Sequence, residues 1–186
     1  MINLGRAAEF PHHNHQRSLE HSMIAALDVH YDDSRSRATG AAVLFENWDA
    51  AVPTAEYTGD VENVQPYVPG EFFRRELPCL LALIARIQEP VDLLIIDGYV
   101  QLGDRPGLGH VLWERLSKTK PVIGVAKSRF EGAAAVEVIR GDSKTPLFVT
   151  AIGIDPAEAA SDIRRMHGPY RIPTLLKRVD RLARRR

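Results

Sequence analysis

The chain has 186 residues, of which 45% are hydrophobic and 26% charged, as is ordinary for a globular protein. Its 24 basic and 24 acidic residues cancel, which excludes a general electrostatic attraction to nucleic acid. The single cysteine, Cys79, excludes a disulfide framework and predicts a cytoplasmic location. No apolar run approaches the ~20 residues that a membrane helix needs, so we expect no membrane contact.

The amino-terminal residues show no periodic pattern of hydrophobic side chains. We therefore predict a loosely ordered arm over residues 1–22 and a single, monomeric domain over residues 23–186. Histidines are frequent in the arm but irregularly spaced, which favours a solvated tail over a metal site.

The first part of the domain is predicted to be an antiparallel meander. Three apolar segments joined by short polar turns indicate strands at Met23–Tyr31, Thr39–Glu46 and Ala51–Tyr57. A loop is expected over Gly59–Pro69. The apolar stripe of Gly70–Gln88 then predicts a helix that Pro78 should kink or restart.

Strands and helices alternate in the rest of the chain. Strands are predicted at Val91–Gly98, Pro121–Ala126, Ala133–Ile139 and Leu147–Ile152, and helices at Pro106–Lys118, Asp155–His167 and Thr174–Arg184. Asp155, followed by Pro156 and Glu158, is typical of a helix amino terminus. This order predicts an α/β fold, a ribonuclease H-like mixed sheet with helices on both faces.

Two aspartates occupy positions where a ribonuclease H-like fold has its catalytic acidic residues. Asp97 ends a strand of branched apolar residues, although an Asp before a Gly is also common in turns. Asp28 interrupts the first strand, where an unpaired buried carboxylate is costly. Since the fold places these strands side by side, the two carboxylates would repel unless a cation lay between them. Oxygen ligands favour Mg²⁺ or Mn²⁺.

Six motifs occur in an order similar to that of the endonuclease V family. They are Asp28-Val29-His30-Tyr31, Pro66-Tyr67-Val68-Pro69-Gly70, Phe73-Arg74-Arg75-Glu76-Leu77-Pro78, Asp92–Gly98, Ile123-Gly124-Val125-Ala126-Lys127 and Tyr170-Arg171-Ile172-Pro173 with Asp180. The resemblance covers nearly all of the predicted domain. It implies a metal-dependent endonuclease that hydrolyses a phosphodiester near inosine in DNA or RNA.

The resemblance also implies roles for individual residues. Asp28, Glu76 and Asp97 would be the metal ligands and catalytic carboxylates, with Lys127 at the scissile phosphate. Tyr67 would fill the gap left by an everted base, with Pro69, Gly70, Gly98 and Gly124 close to base or phosphate. Without the resemblance, the residues favour an exposed helix charge for Glu76 and a solvated strand-end lysine for Lys127, and Tyr67 is compatible with an ordinary loop aromatic.

The sequence departs from the family where a histidine normally precedes the penultimate helix. That region reads Ala151-Ile152-Gly153-Ile154-Asp155-Pro156, and the usual His-Pro-Arg run after Asp97 is also missing. His30 stands where a serine is common, on the same strand face as Asp28. We hypothesise that His30 partly replaces the lost imidazole. The alternative is a nucleic-acid-binding relative that has lost or altered cleavage.

Overall fold

The computed structural model describes residues 22–62, 64 and 72–184. In chain order the elements are β1 (Ile24–Asp32), β2 (Arg37–Phe45), β3 (Ala55–Glu62), α1 (Phe72–Ile84), β4 (Leu93–Asp97), β5 (Gln101–Leu102), β6 (Arg105–Pro106), α2 (Leu108–Arg115), β7 (Val122–Ala126), β8 (Val136–Val138), β9 (Leu147–Ile152), α3 (Pro156–Arg165) and α4 (Thr174–Ala183). The predicted boundary at residue 22 adjoins the undescribed residues and stays a prediction.

Seven of the strands form one mixed sheet in the order β3-β2-β1-β4-β7-β9-β8. β1 pairs antiparallel with β2, and β2 with β3, which confirms the predicted meander. β1, β4 and β7 are parallel neighbours, and β9 returns antiparallel to β7. β5 and β6 form a separate two-stranded ribbon.

The three parallel strands bring their carboxyl ends to one edge of the sheet. Leu27 of β1 pairs with Ile96 of β4, so the next residue of each strand, Asp28 and Asp97, lies at the same level. β4 and β7 are nearly continuous runs of buried branched residues, as expected for strands covered on both faces. The apolar sequences of β4 and β7 therefore favour buried strands, and the pairing of β1 with β4 brings Asp28 and Asp97 to the same edge of the sheet.

Helices cover both faces of the sheet, as predicted. On one face, Leu77, Leu80 and Leu83 of α1 and Leu112 of α2 pack with buried residues of β1 and β4, namely Ala25, Leu27, Val29, Leu94 and Ile96. On the other face, α4 packs against β1 and β2, and α3 packs against β8 and β9, through the buried side chains Ala159, Ala160, Ile163, Leu175, Val179 and Leu182. Each apolar stripe thereby faces the sheet, and the two cores lie on either side of it.

The third strand differs from its prediction. The predicted strand Ala51–Tyr57 is wrong at both ends, because β3 begins at Ala55 and continues to Glu62 through part of the predicted loop. Its residues pair along nearly the whole of β2, from Leu44 with Ala55 to Arg37 with Glu62. A long partner strand supplies hydrogen bonds to a polar edge segment that hydrophobicity alone does not mark as a strand.

Helix boundaries also differ in part. α1 continues through Pro78 without restarting and ends at Ile84, before the predicted end at Gln88. The predicted start at Gly70 lies outside the described residues. The start of α3 is confirmed, since the Asp155 side chain accepts hydrogen bonds from the backbone N–H groups of Ala157 and Glu158. In residues 22–62, 64 and 72–184, no helix is long and apolar enough to cross a membrane.

Candidate active site

The parallel strand ends present two aspartates to a shared cavity. Asp28 lies within β1 and Asp97 is the last residue of β4. Both line a cavity of about 850 Å³ between the sheet edge and α4. Asp28 accepts a hydrogen bond from the backbone N–H of Val29 at 2.9 Å. The pairing of β1 with β4 therefore places Asp28 and Asp97 next to each other, as predicted.

Burial and mutual repulsion disfavour the charged form of Asp28. Burial is the largest cause and the negative charge of Asp97 is the second; with a smaller contribution from Asp180 they raise the pKa of Asp28 to about 6. The hydrogen bond from Val29 and the charge of Lys127 act in the opposite direction. Asp28 therefore lies in a region with an excess of negative charge.

Glu76 reaches the same region from α1, on the other face of the sheet. It is only 5% exposed, which excludes the alternative of a solvated helix charge. Burial, followed by the charges of Asp28 and Asp97, raises the pKa of Glu76 to about 8, although Arg75 opposes this. Its Oε2 atom is buried and has no hydrogen-bond partner among the described residues. No hydrogen bond therefore compensates this oxygen for the loss of its hydration.

Lys127 follows β7 and contacts the carboxylates directly. Its Nζ donates a hydrogen bond to Asp97 Oδ2 at 2.6 Å and lies 4.0 Å from Asp180 Oδ1. Partial burial opposes its charge, but the hydrogen bond and charge of Asp97, with the charge of Asp180, outweigh that effect and raise its pKa. Lys127 is thus an exposed lysine at a strand end whose ammonium is paired with a carboxylate.

Asp180 is a fourth carboxylate at this site, although its motif alone did not predict a role for it there. It projects from α4 beside the buried Val179 and lines the same cavity. Arg184, one turn later, donates two hydrogen bonds to it at 3.1 Å each. An acidic residue next to the apolar stripe of an otherwise basic helix was the available signal.

These carboxylates do not form a ready metal cage. Within the described ranges, no group of three or more His, Cys, Asp or Glu side chains stands in an arrangement that could hold a metal ion. The ammonium group of Lys127, bound to Asp97, supplies the positive charge at this edge instead. The metal-ligand roles of Asp28, Glu76 and Asp97 therefore stay predictions.

Two of the three predicted site glycines, Gly98 and Gly124, are described by the structure and have different surroundings. Gly98 has φ +122°, a conformation that favours glycine, and a Cβ there would meet nothing within 4 Å. A Cβ on Gly124 would lie 2.6 Å from the carbonyl oxygen of Gly98 and 2.7 Å from Thr150 Oγ1. The open space needed for a ligand is therefore present at Gly98, whereas Gly124 is required by the packing of the protein itself.

The remaining predicted site residues lie elsewhere or are not described. His30 lines a second cavity with Arg37, Asp60 and Arg184, rather than the cavity of Asp28 and Asp97. Its role as a substitute imidazole stays a hypothesis. Tyr67, Pro69 and Gly70 lie outside the described residues, and their predicted contacts with nucleic acid stay predictions.

The sheet order, with helices on both faces and with Asp28 and Asp97 side by side where the pairing of β1 with β4 ends, defines a ribonuclease H-like α/β protein. The sequence pattern of the Endonuclease V family matches residues 7–181. The chain therefore belongs to the endonuclease V family, which confirms the resemblance seen in its motifs.

Individual relatives agree with this assignment. The chain is 32% identical to endonuclease V of Streptomyces avermitilis over 87% of its own length and 79% of the relative's. A crystal structure of a Streptomyces avermitilis endonuclease V superposes with a TM-score of 0.71 at 29% identity, covering 89% of this chain and 81% of that one. A Ciona intestinalis endonuclease V in complex with inosine-containing DNA gives a TM-score of 0.70 at 21% identity, covering 89% and 85%.

Proposed function

We propose that this protein is a metal-dependent endonuclease that hydrolyses a phosphodiester near inosine in DNA or RNA. Family membership supports a nuclease, and inosine-containing DNA is the ligand of the Ciona intestinalis relative. The observation that carries the proposal is the meeting of Asp28 and Asp97 on neighbouring strands β1 and β4 with the buried Glu76 close enough for both charges to raise its pKa. A site that concentrates carboxylates against their own repulsion is suited to a cation.

The donor set fits Mg²⁺ or Mn²⁺ in chemistry. Asp28, Glu76 and Asp97 offer carboxylate oxygens, the donors that these hard ions prefer. The unpartnered Oε2 of Glu76 is an acceptor that such an ion would satisfy. When bound, the ion would activate water and neutralise charge developing on the phosphate. Asp180 would add a fourth carboxylate next to this set.

The chain's own cationic group at the site is Lys127. Its ammonium lies between Asp97 and Asp180 at the mouth of the cavity, where a phosphate oxygen of the substrate would be attracted. Gly98, with open space beside it, would let the substrate approach the backbone. Tyr67 would stack in place of an everted base, an interaction worth ~1–3 kcal/mol.

A second candidate is a nucleic-acid-binding relative that has lost or altered cleavage. Two observations favour it: the missing family histidine before α3, and the absence, among the described residues, of a three-ligand group ready for a metal. The buried Glu76 argues against it, since a carboxylate without a partner would burden a protein that only binds.

The deciding experiment measures nicking of end-labelled oligonucleotides. Each substrate is DNA or RNA with one inosine, and its control carries guanosine instead; each is incubated with Mg²⁺, Mn²⁺ or a chelator. We expect metal-dependent, inosine-dependent nicking that Asp97→Ala abolishes. Asp142→Ala changes another aspartate that lines the cavity; it is the matched control and should keep activity. Binding without nicking by the unmodified chain would instead establish the second candidate.

A further inference from the structure

Arg140 is a buried arginine that the proposed chemistry does not use. It follows β8 and is only 5% exposed. Its guanidinium donates hydrogen bonds to five backbone carbonyl oxygens, those of Arg164 (3.2 Å), Met166, Gly168 (3.2 Å), Tyr170 (2.8 Å) and Arg171 (3.4 Å). All five belong to the end of α3 or to residues 166–173, the α3–α4 connection.

The cost of burying this charge is met by oriented dipoles. Burial lowers the pKa of Arg140, and charge-assisted hydrogen bonds offset the loss of hydration. The carbonyls of Arg164 and Met166 lie at the carboxyl end of α3, where the helix dipole is negative. A planar group with five N–H donors matches this fan of acceptors in a way that a lysine ammonium does not.

The backbone after Arg140 adds a second contact with the same connection. Gly141 has φ +54°, and a Cβ at that position would overlap the carbonyl group of Pro169. The absence of a side chain therefore lets the α3–α4 connection pack directly on the backbone. Arg140 and Gly141 together form a seat for it.

The seated connection reaches the candidate active site by two routes. Pro169, Tyr170, Arg171 and Ile172 form one wall of the 850 Å³ cavity. The Arg171 guanidinium donates hydrogen bonds to the carbonyl oxygens of Lys127 and Pro146, the latter at 2.7 Å. α4, which carries Asp180, begins immediately after the connection, at Thr174.

We propose that Arg140 is a positioning residue for nucleic-acid cleavage. It fixes the α3–α4 connection so that Arg171 holds the backbone of Lys127 and α4 presents Asp180 beside Asp97. This inference rests on the function proposed above, because it assigns to Arg140 an effect on the cleavage step. If Arg140 only stabilised the fold, its loss would not specifically change the geometry of the reacting groups.

The test compares Arg140→Ala and Arg140→Lys with the unmodified chain in single-turnover nicking, with binding of the same inosine oligonucleotide measured separately. Displacing reacting groups by about 1 Å costs about 10²-fold in rate, so we expect a loss of that order with binding changed by less than threefold. Arg140→Lys keeps the positive charge but not the planar guanidinium group, so its nicking rate should fall similarly. This variant keeps the test valid if Arg140→Ala fails to fold.

Chemical rescue separates positioning from general destabilisation. Millimolar guanidinium chloride should restore nicking by Arg140→Ala, because the free ion fits the vacated fan of carbonyls. Ammonium chloride at the same ionic strength should not. Arg178→Ala, on α4 but paired with Glu56, is the matched control and should show neither loss nor rescue. A parallel fall in rate and binding, or a loss that guanidinium does not relieve in a folded variant, overturns the proposal.

A readout independent of activity distinguishes this inference from the proposed function. Arg171 is half-buried and hydrogen-bonded, so trypsin should cut the Arg171–Ile172 bond slowly in the unmodified chain and much faster in Arg140→Ala. Faster cutting together with no nicking by the unmodified chain would refute the proposed function and leave the seat intact. Normal nicking and unchanged cutting in the variant would refute the role of Arg140.

Discussion

Lys127 donates a hydrogen bond to Asp97 across the ends of two neighbouring parallel strands, with 2.6 Å between Nζ and Oδ2. The contact joins the candidate phosphate-binding group to a candidate metal ligand. Both side chains are two-fifths or more exposed, so the pair contributes little to stability. It matters because Asp97 has two possible partners, the ammonium of Lys127 and a divalent cation.

Removing the ammonium should therefore strengthen metal binding while it weakens catalysis. We expect Lys127→Met to bind Mn²⁺ about two- to fivefold more tightly, the equivalent of an exposed ion pair, and to nick inosine substrates more slowly. Isothermal titration with Mn²⁺ checks the affinity. Lys177→Met changes a lysine of the same cavity that contacts the Tyr170 ring, and should leave the affinity as it was. Equal Mn²⁺ affinity in both variants would contradict the competition.

The fourth carboxylate, Asp180, should contribute to cleavage. It lies 4.0 Å from Lys127 and adds to the repulsion felt by Asp28. We expect Asp180→Asn to reduce the single-turnover nicking rate about 10²-fold, the usual cost of losing one group that stabilises charge in a transition state. Asp142→Asn, at another aspartate that lines the cavity, is the control. A rate within threefold of the unmodified chain would remove Asp180 from the site.

The raised pKa values predict how stability depends on pH without metal. The folded chain keeps protons on Asp28 and Glu76 up to about pH 6 and 8, whereas unfolding returns them to ordinary values of 3.8 and 4.5. The folded state thus binds more protons in this interval, and its free energy of unfolding should fall as pH rises from about 4 to 8.

Urea denaturation at several pH values in the presence of a chelator measures this slope. Glu76→Gln removes one of the two groups, so we expect a shallower slope between pH 5 and 8 and, at pH 8, a free energy of unfolding higher by roughly 1–3 kcal/mol. Mn²⁺ should stabilise the unmodified chain most at the alkaline end. Stability that rises with pH over this interval would show that the carboxylates are already compensated.

The two site glycines should respond differently to alanine. At Gly124 the new methyl group would press on the Gly98 carbonyl and on Thr150, so we expect a loss of roughly 1–3 kcal/mol in the free energy of unfolding from overpacking. At Gly98 the space is open and the cost is backbone strain alone, on the order of 1 kcal/mol. Thermal or urea denaturation of both variants checks the order. A milder effect at Gly124 than at Gly98 would contradict the packing described here.

Periodicity and local chemistry predicted the elements whose signal is contained within a few residues. The buried strands β4 and β7, the meander and the Asp155 cap are of this kind. β3 was misplaced because its hydrogen bonds depend on a distant partner, β2, and not on its own hydrophobicity. α1 runs through Pro78 without the restart that was one of the two predicted outcomes, since packing on the sheet outweighs the loss of one helical hydrogen bond.

By itself, the sequence determined the α/β class and the positions of Asp28 and Asp97, because strand-forming side chains place a residue at a strand end through local rules. Its order of motifs also determined the family. Only the tertiary structure decided that Glu76 is buried, that Lys127 bonds to Asp97, that Asp180 joins them and that Arg140 holds the α3–α4 connection. Those facts depend on charges and carbonyls far apart along the chain, whose interaction is fixed only once the sheet and its helices have packed.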